Sequence, residues 1–519
     1  MNEGDRSMKL IDLCKPFCIE ILINGSWSKE IPDDVKISIA GDGAASVTAM
    51  ETGLSKIRFA YTADSKMQDA YVYGDHWERG YGDIIWSKET RVLPWYCLYT
   101  DQKTTCGYGV KVQPNALCYW KNEKEVLTLT LDIRNGTQPL YLNGRELLMA
   151  QLIAASYCGN LHEAAHDFCK KMCDAPRLPK NPVYGGNDWY CNYGHNSYEM
   201  IMLHARRIAE CAPDTENRPY MVIDDGWQLC VNQSHGAYEY YYNGGPWEAN
   251  SRFGDMAKMA ADITALGLHP GIWMRPLLTL ESVQPEWVLK RDGLRQFLDP
   301  SRTEVLDIIR RDVSKITGWG YKLIKHDFST YDIFGQWGYS MGEEPLNGEV
   351  VFADKTRTTA QIIKDMYQVI REAAGDDVVI IGCNTLSHLS AGVFELQRTG
   401  DDTSGVEWER TKRMGINTLA LRMMQHNAFY AVDADCIGIT GEIPWSTNKK
   451  WLDVLAKSGT PLFVSIGENA YTDEVKADIK AAFEKAAGVH KVSVPVDIID
   501  NLTPAKWLSD FGIDEYDWE

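Results

Sequence analysis

Gly320-Tyr-Lys-Leu-Ile-Lys-His-Asp-Phe-Ser329 is a short apolar run that breaks into a lysine and a carboxylate, Lys325-His326-Asp327, where a buried strand should end. An acid at that point is poorly placed for a core and well placed for chemistry. Two more segments share the form: Tyr220-Met-Val-Ile-Asp-Asp-Gly-Trp227 and Phe394-Glu-Leu-Gln-Arg-Thr-Gly-Asp-Asp-Thr403. Three such strand ends, far apart in the chain, predict carboxylates gathered at one rim of one sheet.

Eight candidate strands run through this half of the chain: Asn187–Tyr190, Tyr220–Ile223, Pro270–Trp273, Lys322–Lys325, Val378–Gly382, Phe394–Arg398, Ala428–Val432 and Pro461–Ser465. Helical periodicity fills many of the gaps, as in Thr358–Ala374 and Thr472–Ala487. Strands alternating with helices in that number predict an α/β fold, a (β/α)8 TIM barrel, whose active site lies at the carboxyl ends of its strands. Long polar loops at 246–297 and 335–353 blur the boundaries.

Before the barrel the pattern is short alternating runs, such as Lys36–Ile39 and Val126–Ile133, separated by Asn-Gly and Asp-Gly turns. These predict an N-terminal antiparallel β-sandwich. The expected organisation is a sandwich over 1–158, a linker helix and proline-rich boundary over 159–183, the catalytic barrel over 184–488 and a short C-terminal tail over 489–519.

With 519 residues the chain exceeds one ordinary core, and 45% hydrophobic residues mark it as globular. Its net charge of −19 argues against nucleic acid and anionic membranes as partners. The start, Met1-Asn-Glu-Gly-Asp-Arg-Ser-Met8, lacks the apolar core of a signal peptide. No window holds about 18 uninterrupted apolar residues, and a cytoplasmic location is expected. The 13 cysteines are scattered without a CxxC pair, so they predict buried hydrophobes rather than disulfides or a zinc ribbon.

Cleaving a glycosidic bond takes two carboxyl groups, one as nucleophile or base and one as acid. Asp327 and either Asp401 or Asp402 would face each other across the barrel mouth. Side chains alternate along a strand, so Lys325 points with Asp327 and can hold a sugar hydroxyl. Asp224-Asp225-Gly226-Trp227 suits a polyol, with two carboxylates for vicinal hydroxyls and an indole for an apolar face. Trp189 and Trp273 end neighbouring strands and offer stacking surfaces. Cys383, with no evident partner base, reads as a pocket wall.

His162-Glu-Ala-Ala-His166 is a full HExxH, in which two histidines on one helical face hold zinc. A third ligand is missing from the following stretch, so a polar helix face is the simpler reading and a zinc peptidase the rival of another class. A third reading is a sugar-binding protein that has kept the barrel but not the reaction.

In order, Trp189, Ile-Asp-Asp-Gly-Trp227, Gly-Ile-Trp273, Lys-x-Asp-Phe328, Gly-Cys383 and Arg398-x-x-x-Asp402 resemble the α-galactosidases of glycoside hydrolase family 36 and, more distantly, family 27. The resemblance covers roughly residues 185–487, and an amino-terminal sandwich accompanies it in family 36. It implies a retaining, exo-acting α-galactosidase needing no metal or organic cofactor, with carbohydrate as its partner and a homo-oligomer permitted. It implies Asp327 as nucleophile and Asp402 as acid/base, although Gly-Asp-Asp-Thr403 can be aligned to make Asp401 the acid. By the same resemblance Asp224 and Asp225 would hold the 4- and 6-hydroxyls, Lys325 the 3- and 4-hydroxyls, Cys383 and Arg398 the region of the 2-hydroxyl, and Trp189 and Trp273 the walls. An aromatic from Asp75-His-Trp-Glu-Arg-Gly-Tyr81 would close the pocket.

Met274-Arg275 stands where the family has small residues, so Arg275 is expected to enter the pocket and favour an acidic or decorated sugar. The stretch after Cys383 lacks the glycine-rich form of one branch of the family, and the family's β-rich carboxyl-terminal domain is expected to be absent or reduced to a tail. An α-N-acetylgalactosaminidase, or a transglycosidase of the raffinose-synthase type, stays open on these departures.

Overall fold

The computed structural model describes residues 8–89, 91–230, 243–291 and 296–519. The amino-terminal segment read above for a leader lies almost entirely outside the described residues.

Two six-stranded antiparallel sheets form the first layer pair. One has Lys56–Thr62 and Val126–Asp132 at its centre, and the other has Leu147–Cys158 and Thr104–Val110. In Val126–Asp132, Leu127, Leu129 and Leu131 recur at a spacing of two and are fully buried, as one inward face of a strand requires. Helix Leu161–Met172 follows, capped by the Asn160 side chain on the Glu163 amide, with Ala164, Ala165, Phe168, Cys169 and Met172 buried.

The second half is built on a nine-stranded sheet whose pairings are all parallel. The strands are β1 (Tyr184–Asn187), β2 (Tyr220–Ile223), β3 (His269–Met274), β4 (Leu323–His326), β5 (Val379–Gly382), β6 (Leu396–Arg398), β7 (Ala431–Asp433), β8 (Cys436–Ile439) and β9 (Leu462–Ile466). Their spatial order is β7-β6-β5-β4-β3-β2-β1-β9-β8. The two edge pieces, β7 and β8, are halves of one strand separated by Ala434 and Asp435, the latter in the left-handed region at φ 73°. One half pairs with β6 and the other with β9, so the broken strand joins both edges and the curled sheet is an eight-stranded TIM-type barrel with its seventh strand kinked.

Six of the eight expected strands overlap the observed ones closely, whereas the first lies earlier than expected and the seventh, expected from Ala428, begins only at Ala431. Trp189–Asn192 is a helical turn instead, because the Asn187 side chain accepts the Trp189 amide at 2.9 Å and turns the chain. The expected helices appear as Thr359–Ala374, with a Thr358/Gln361 capping box, and Asp473–Ala486, capped by Thr472.

Between β5 and β6 there is only one helical turn, Ser387–Ser390, and the sandwich packs there. His388 Nε2 lies 2.8 Å from the Val110 carbonyl, and its ring stacks on Trp95 at 5.2 Å. A buried ion pair, Arg422–Asp75 at 2.6 Å, fastens the sandwich loop after Tyr71–Gly74 to the barrel. The tail adds a three-stranded antiparallel sheet spanning Val494–Glu515. Among the described residues no helix is long and apolar enough to cross a membrane.

Candidate active site

A cavity of about 640 Å³ opens at the carboxyl ends of the barrel strands. Trp189, Asp224, Trp273, Lys325, Asp327, Asp401 and Asp402 line it, together with Arg79, Tyr81, Asp83, Phe328, Trp337, Tyr339, Arg410, Arg413 and Met414.

Asp327 follows β4 directly. Trp273 and Lys325 are register partners on β3 and β4, so both project to the same side, and the Trp273 indole N–H donates to Asp327 Oδ2 at 3.0 Å. The Phe328 amide donates to Oδ1 at 2.8 Å, with Phe328 itself in the left-handed region at φ 64°. A non-glycine residue held there costs on the order of 1–3 kcal/mol, which neighbouring packing must offset. Asp327 is thereby fixed by two donors. His326 points the other way, as alternation requires, with its ring edge-on to Tyr367 and Phe394 and its pKa pushed down to about 3 by burial.

Asp224 Oδ2 accepts from Lys325 Nζ at 2.7 Å and from Asn187 Nδ2 at 2.6 Å. Burial alone would discharge Lys325, but Asp224 and the charges beyond it hold the ammonium well above its ordinary pKa. Asp188, beneath, accepts the Asp224 amide at 2.7 Å and is raised to about 6 by burial and by the Asp224 charge.

Asp401 and Asp402 follow β6 and differ in environment. Asp401 is bound at 3.0 Å by both Arg79 and Arg410, and its side chain is 25% exposed. Asp402 meets Arg398 at 3.2 Å and Arg79 at 4.0 Å and is 40% exposed, the more accessible of the two. Burial raises the Asp402 pKa, but Arg398, Arg79, Lys325 and Arg410 outweigh it and hold the carboxyl below its ordinary value. In the free site Asp402 is therefore a carboxylate.

Several expected contacts lie behind the wall. Asp225 turns away from the cavity, where Gln228 and Asn243 donate to it at 2.7 and 2.5 Å, and burial lifts its pKa to about 7. Cys383 and Arg398 are buried under Asp402, with Arg398 donating to the Cys383 Sγ at 3.5 Å and pairing with Asp435 at 2.8 Å. Arg275 does not enter the cavity: it is fully buried and forks onto Asp332 at 3.0 and 2.6 Å, its guanidinium 4.1 Å from the Phe328 ring centre. The expectation that Arg275 meets substrate is corrected by this pairing, because a buried guanidinium takes the carboxylate that satisfies it.

From the segment 75–81, Tyr81 reaches the cavity and Trp77 belongs to the core. Arg79 is the residue the sequence reading passed over there. A backbone bridge between Gly80 and Gly400 holds this loop against the end of β6, with the Gly80 amide 2.8 Å from the Thr399 carbonyl and the Asp401 amide 3.0 Å from the Gly80 carbonyl. Trp337 and Tyr339 come from the start of the short helix Gly338–Met341, Arg410 from Trp408–Thr411 and Arg413 from the helical segment Lys412–Asn417, and these sequences carry no signal of a site. His162 and His166 lie on one helical face with ring centres 6.3 Å apart, and His166 Nδ1 lies 2.9 Å from the Met424 carbonyl. Among the described residues no third metal-binding side chain joins them.

No protein-family model matches the chain. Among solved structures, an α-galactosidase from Thermus thermophilus in complex with p-nitrophenyl α-D-galactopyranoside superposes with a TM-score of 0.63 at 16% identity, covering 96% of this chain and 98% of that one. The fold is that of the α-galactosidases. The same Thermus protein with stachyose gives a TM-score of 0.60 at 16% identity, over 89% of this chain and 98% of that chain. The GH36 α-galactosidase AgaA from Geobacillus stearothermophilus gives 0.58 at 14% identity, over 87% of this chain and 65% of its own length. The α-galactosidase fold thus extends through both the sandwich and the barrel, as the resemblance of the motifs implied.

Proposed function

We propose that the protein is a glycoside hydrolase acting on terminal α-galactosyl residues by double displacement with retention. The observation that carries this is the pairing, in one cavity, of Asp327 held by Trp273 with the more accessible carboxylate Asp402, above a buried Lys325–Asp224 ion pair. Fold likeness to α-galactosidases captured with stachyose and a nitrophenyl α-galactoside supports the substrate class.

Asp327 attacks the anomeric carbon while Asp402 gives a proton to the departing oxygen, leaving a glycosyl ester. Water, deprotonated by Asp402, then attacks the anomeric carbon and releases both sugar and Asp327. The surrounding cations suit Asp402 to the second step as base. For the first step it takes up a proton as the bound sugar excludes water, since desolvation disfavours the charged form. Lys325 and Asp224 present a donor and an acceptor to sugar hydroxyls, and Trp189 and Trp273 wall the ring. Asp225, Cys383 and Arg398 support these groups from behind.

The test is release of nitrophenol from α-galactoside, α-N-acetylgalactosaminide and β-L-arabinopyranoside, with Asp327→Ala as control. Hydrolysis of the α-galactoside that vanishes in the variant and partly returns with azide is the expected result. Undiminished turnover in Asp327→Ala would overturn the assignment of the nucleophile, and a silent panel would overturn the substrate class.

A further inference from the structure

Glu78 has no exposed surface, comes from the sandwich, and finds its partners around the cavity. Its Oε1 accepts from the Gly338 amide at 2.9 Å and from the Tyr81 hydroxyl, and its Oε2 accepts from Asn384 Nδ2. The Arg79 guanidinium lies 3.9 Å away and supplies countercharge. A buried carboxylate is tolerated only when its lone pairs are satisfied in this way.

Two of these donors lead to the cavity wall and the third to the strand end that bears Asp327. Tyr81 lines the cavity. Gly338 lies between Trp337 and Tyr339, both of which line it, and a Cβ at Gly338 would stand 2.7 Å from Glu78 Cγ, so this approach requires glycine. Asn384 passes the connection to the strand end that bears Asp327. Its Oδ1 accepts the Tyr331 amide at 2.9 Å and its carbonyl accepts the Thr330 amide at 3.0 Å. Those amides belong to the helix Ser329–Phe334, which begins immediately after Asp327 and the left-handed Phe328.

Taking Asp327 as the nucleophile proposed above, we infer that Glu78 is a positioning residue: through Asn384 it holds the helix that follows Asp327, and through Tyr81 and Gly338 it sets one wall of the cavity, where the Tyr81 and Tyr339 rings meet edge-on at 5.0 Å. One carboxylate from the sandwich thus makes the barrel's reacting geometry depend on the other domain's docking. It touches no substrate, and its role is to hold the groups that do.

Glu78→Gln tests the link. The glutamine oxygen can still accept from Gly338 and Tyr81, but its amide then faces the Asn384 amide, donor against donor. Asn384 cannot reverse without giving up Tyr331. With a nitrophenyl α-galactoside, kcat is expected to fall roughly ten- to a hundredfold, the loss of one hydrogen bond to a charged group, with KM little changed. Amide exchange at Thr330 and Tyr331 is expected to accelerate. Adding Asn384→Asp exchanges donor and acceptor across the pair, and the double variant is expected to recover both kcat and slow exchange.

Tyr81→Phe removes the cavity-side donor, and with it the hydroxyl that accepts from the Gly338 amide at 3.3 Å, but leaves the Asn384 contact in place; it is expected to move KM while leaving exchange at Thr330 and Tyr331 as in the wild type. If Glu78→Gln does not fold, recovery of folded protein in the double variant is the same expected result. Unchanged exchange in the single variant, or a double variant no better than the single, overturns the inference. If the wild type hydrolyses no α-galactoside, the functional reading falls while amide exchange still decides the positioning role.

Discussion

Arg275→Met separates a structural role for this arginine from a substrate-binding one. Arg275 and Asp332 are both fully buried and joined by two hydrogen bonds, so truncating the arginine leaves a carboxylate without its main partner. Removing one member of a buried pair costs about 3–5 kcal/mol. An independent bound comes from protonation: neutralising a carboxyl whose unfolded pKa is about 3.9 costs about 4 kcal/mol at pH 7 and about 1.5 kcal/mol at pH 5. Burial already raises Asp332 even with Arg275 present, so the variant takes this route.

The sign follows from linkage. A carboxyl whose folded pKa is raised contributes stability below its unfolded pKa and loses it as pH rises through the folded value, so the deficit must grow with pH. Urea unfolding followed by tryptophan fluorescence at pH 5 and pH 7, with Arg275→Met/Asp332→Asn as the rescuing double variant, measures it. A deficit below about 1 kcal/mol at both pH values, together with a loss of kcat/KM confined to acidic glycosides, would refute the reasoning and return Arg275 to the pocket.

Asp402→Ala should spare nitrophenyl substrates, whose leaving groups need no proton, and regain rate with azide, whereas Asp401→Ala should show neither pattern; glycoside kinetics with good and poor leaving groups check this. Trp273→Phe removes the indole donor from Asp327 and should lower kcat/KM by about tenfold or more with the fold intact by circular dichroism. Burial raises Asp225 to about 7, and raises Asp188 and Asp433 to about 6. Their contribution to stability is complete below about pH 4 and is lost as pH rises through 6 to 7. Thermal unfolding across that window should show Asp225→Asn with a shallower decline than the wild type.

The barrel was legible because its evidence is local. Apolar runs of four to six residues ending in polar groups mark parallel strands buried on both faces, and period-two alternation places Lys325 and Asp327 on one side. The helix from Thr359 was legible for the same reason, its capping box lying within four residues. The kink at Asp435 was not, since nothing in Ala-Val-Asp-Ala-Asp-Cys436 says which half will pair with which neighbour.

Within the site, the sequence by itself determined which strand ends carry carboxylates and which strand face they share, because both follow from backbone geometry over a few residues. Tertiary structure alone decided which of those groups meet the cavity. Asp224 and Asp225 are neighbours, yet one lines it and the other is turned to Gln228 and Asn243. Arg275 was captured by Asp332, 57 residues later, and Glu78 meets Asn384 306 residues away. Such pairings answer to how buried charge and hydrogen-bonding groups are satisfied once the layers have packed, and no local pattern in the chain encodes that outcome.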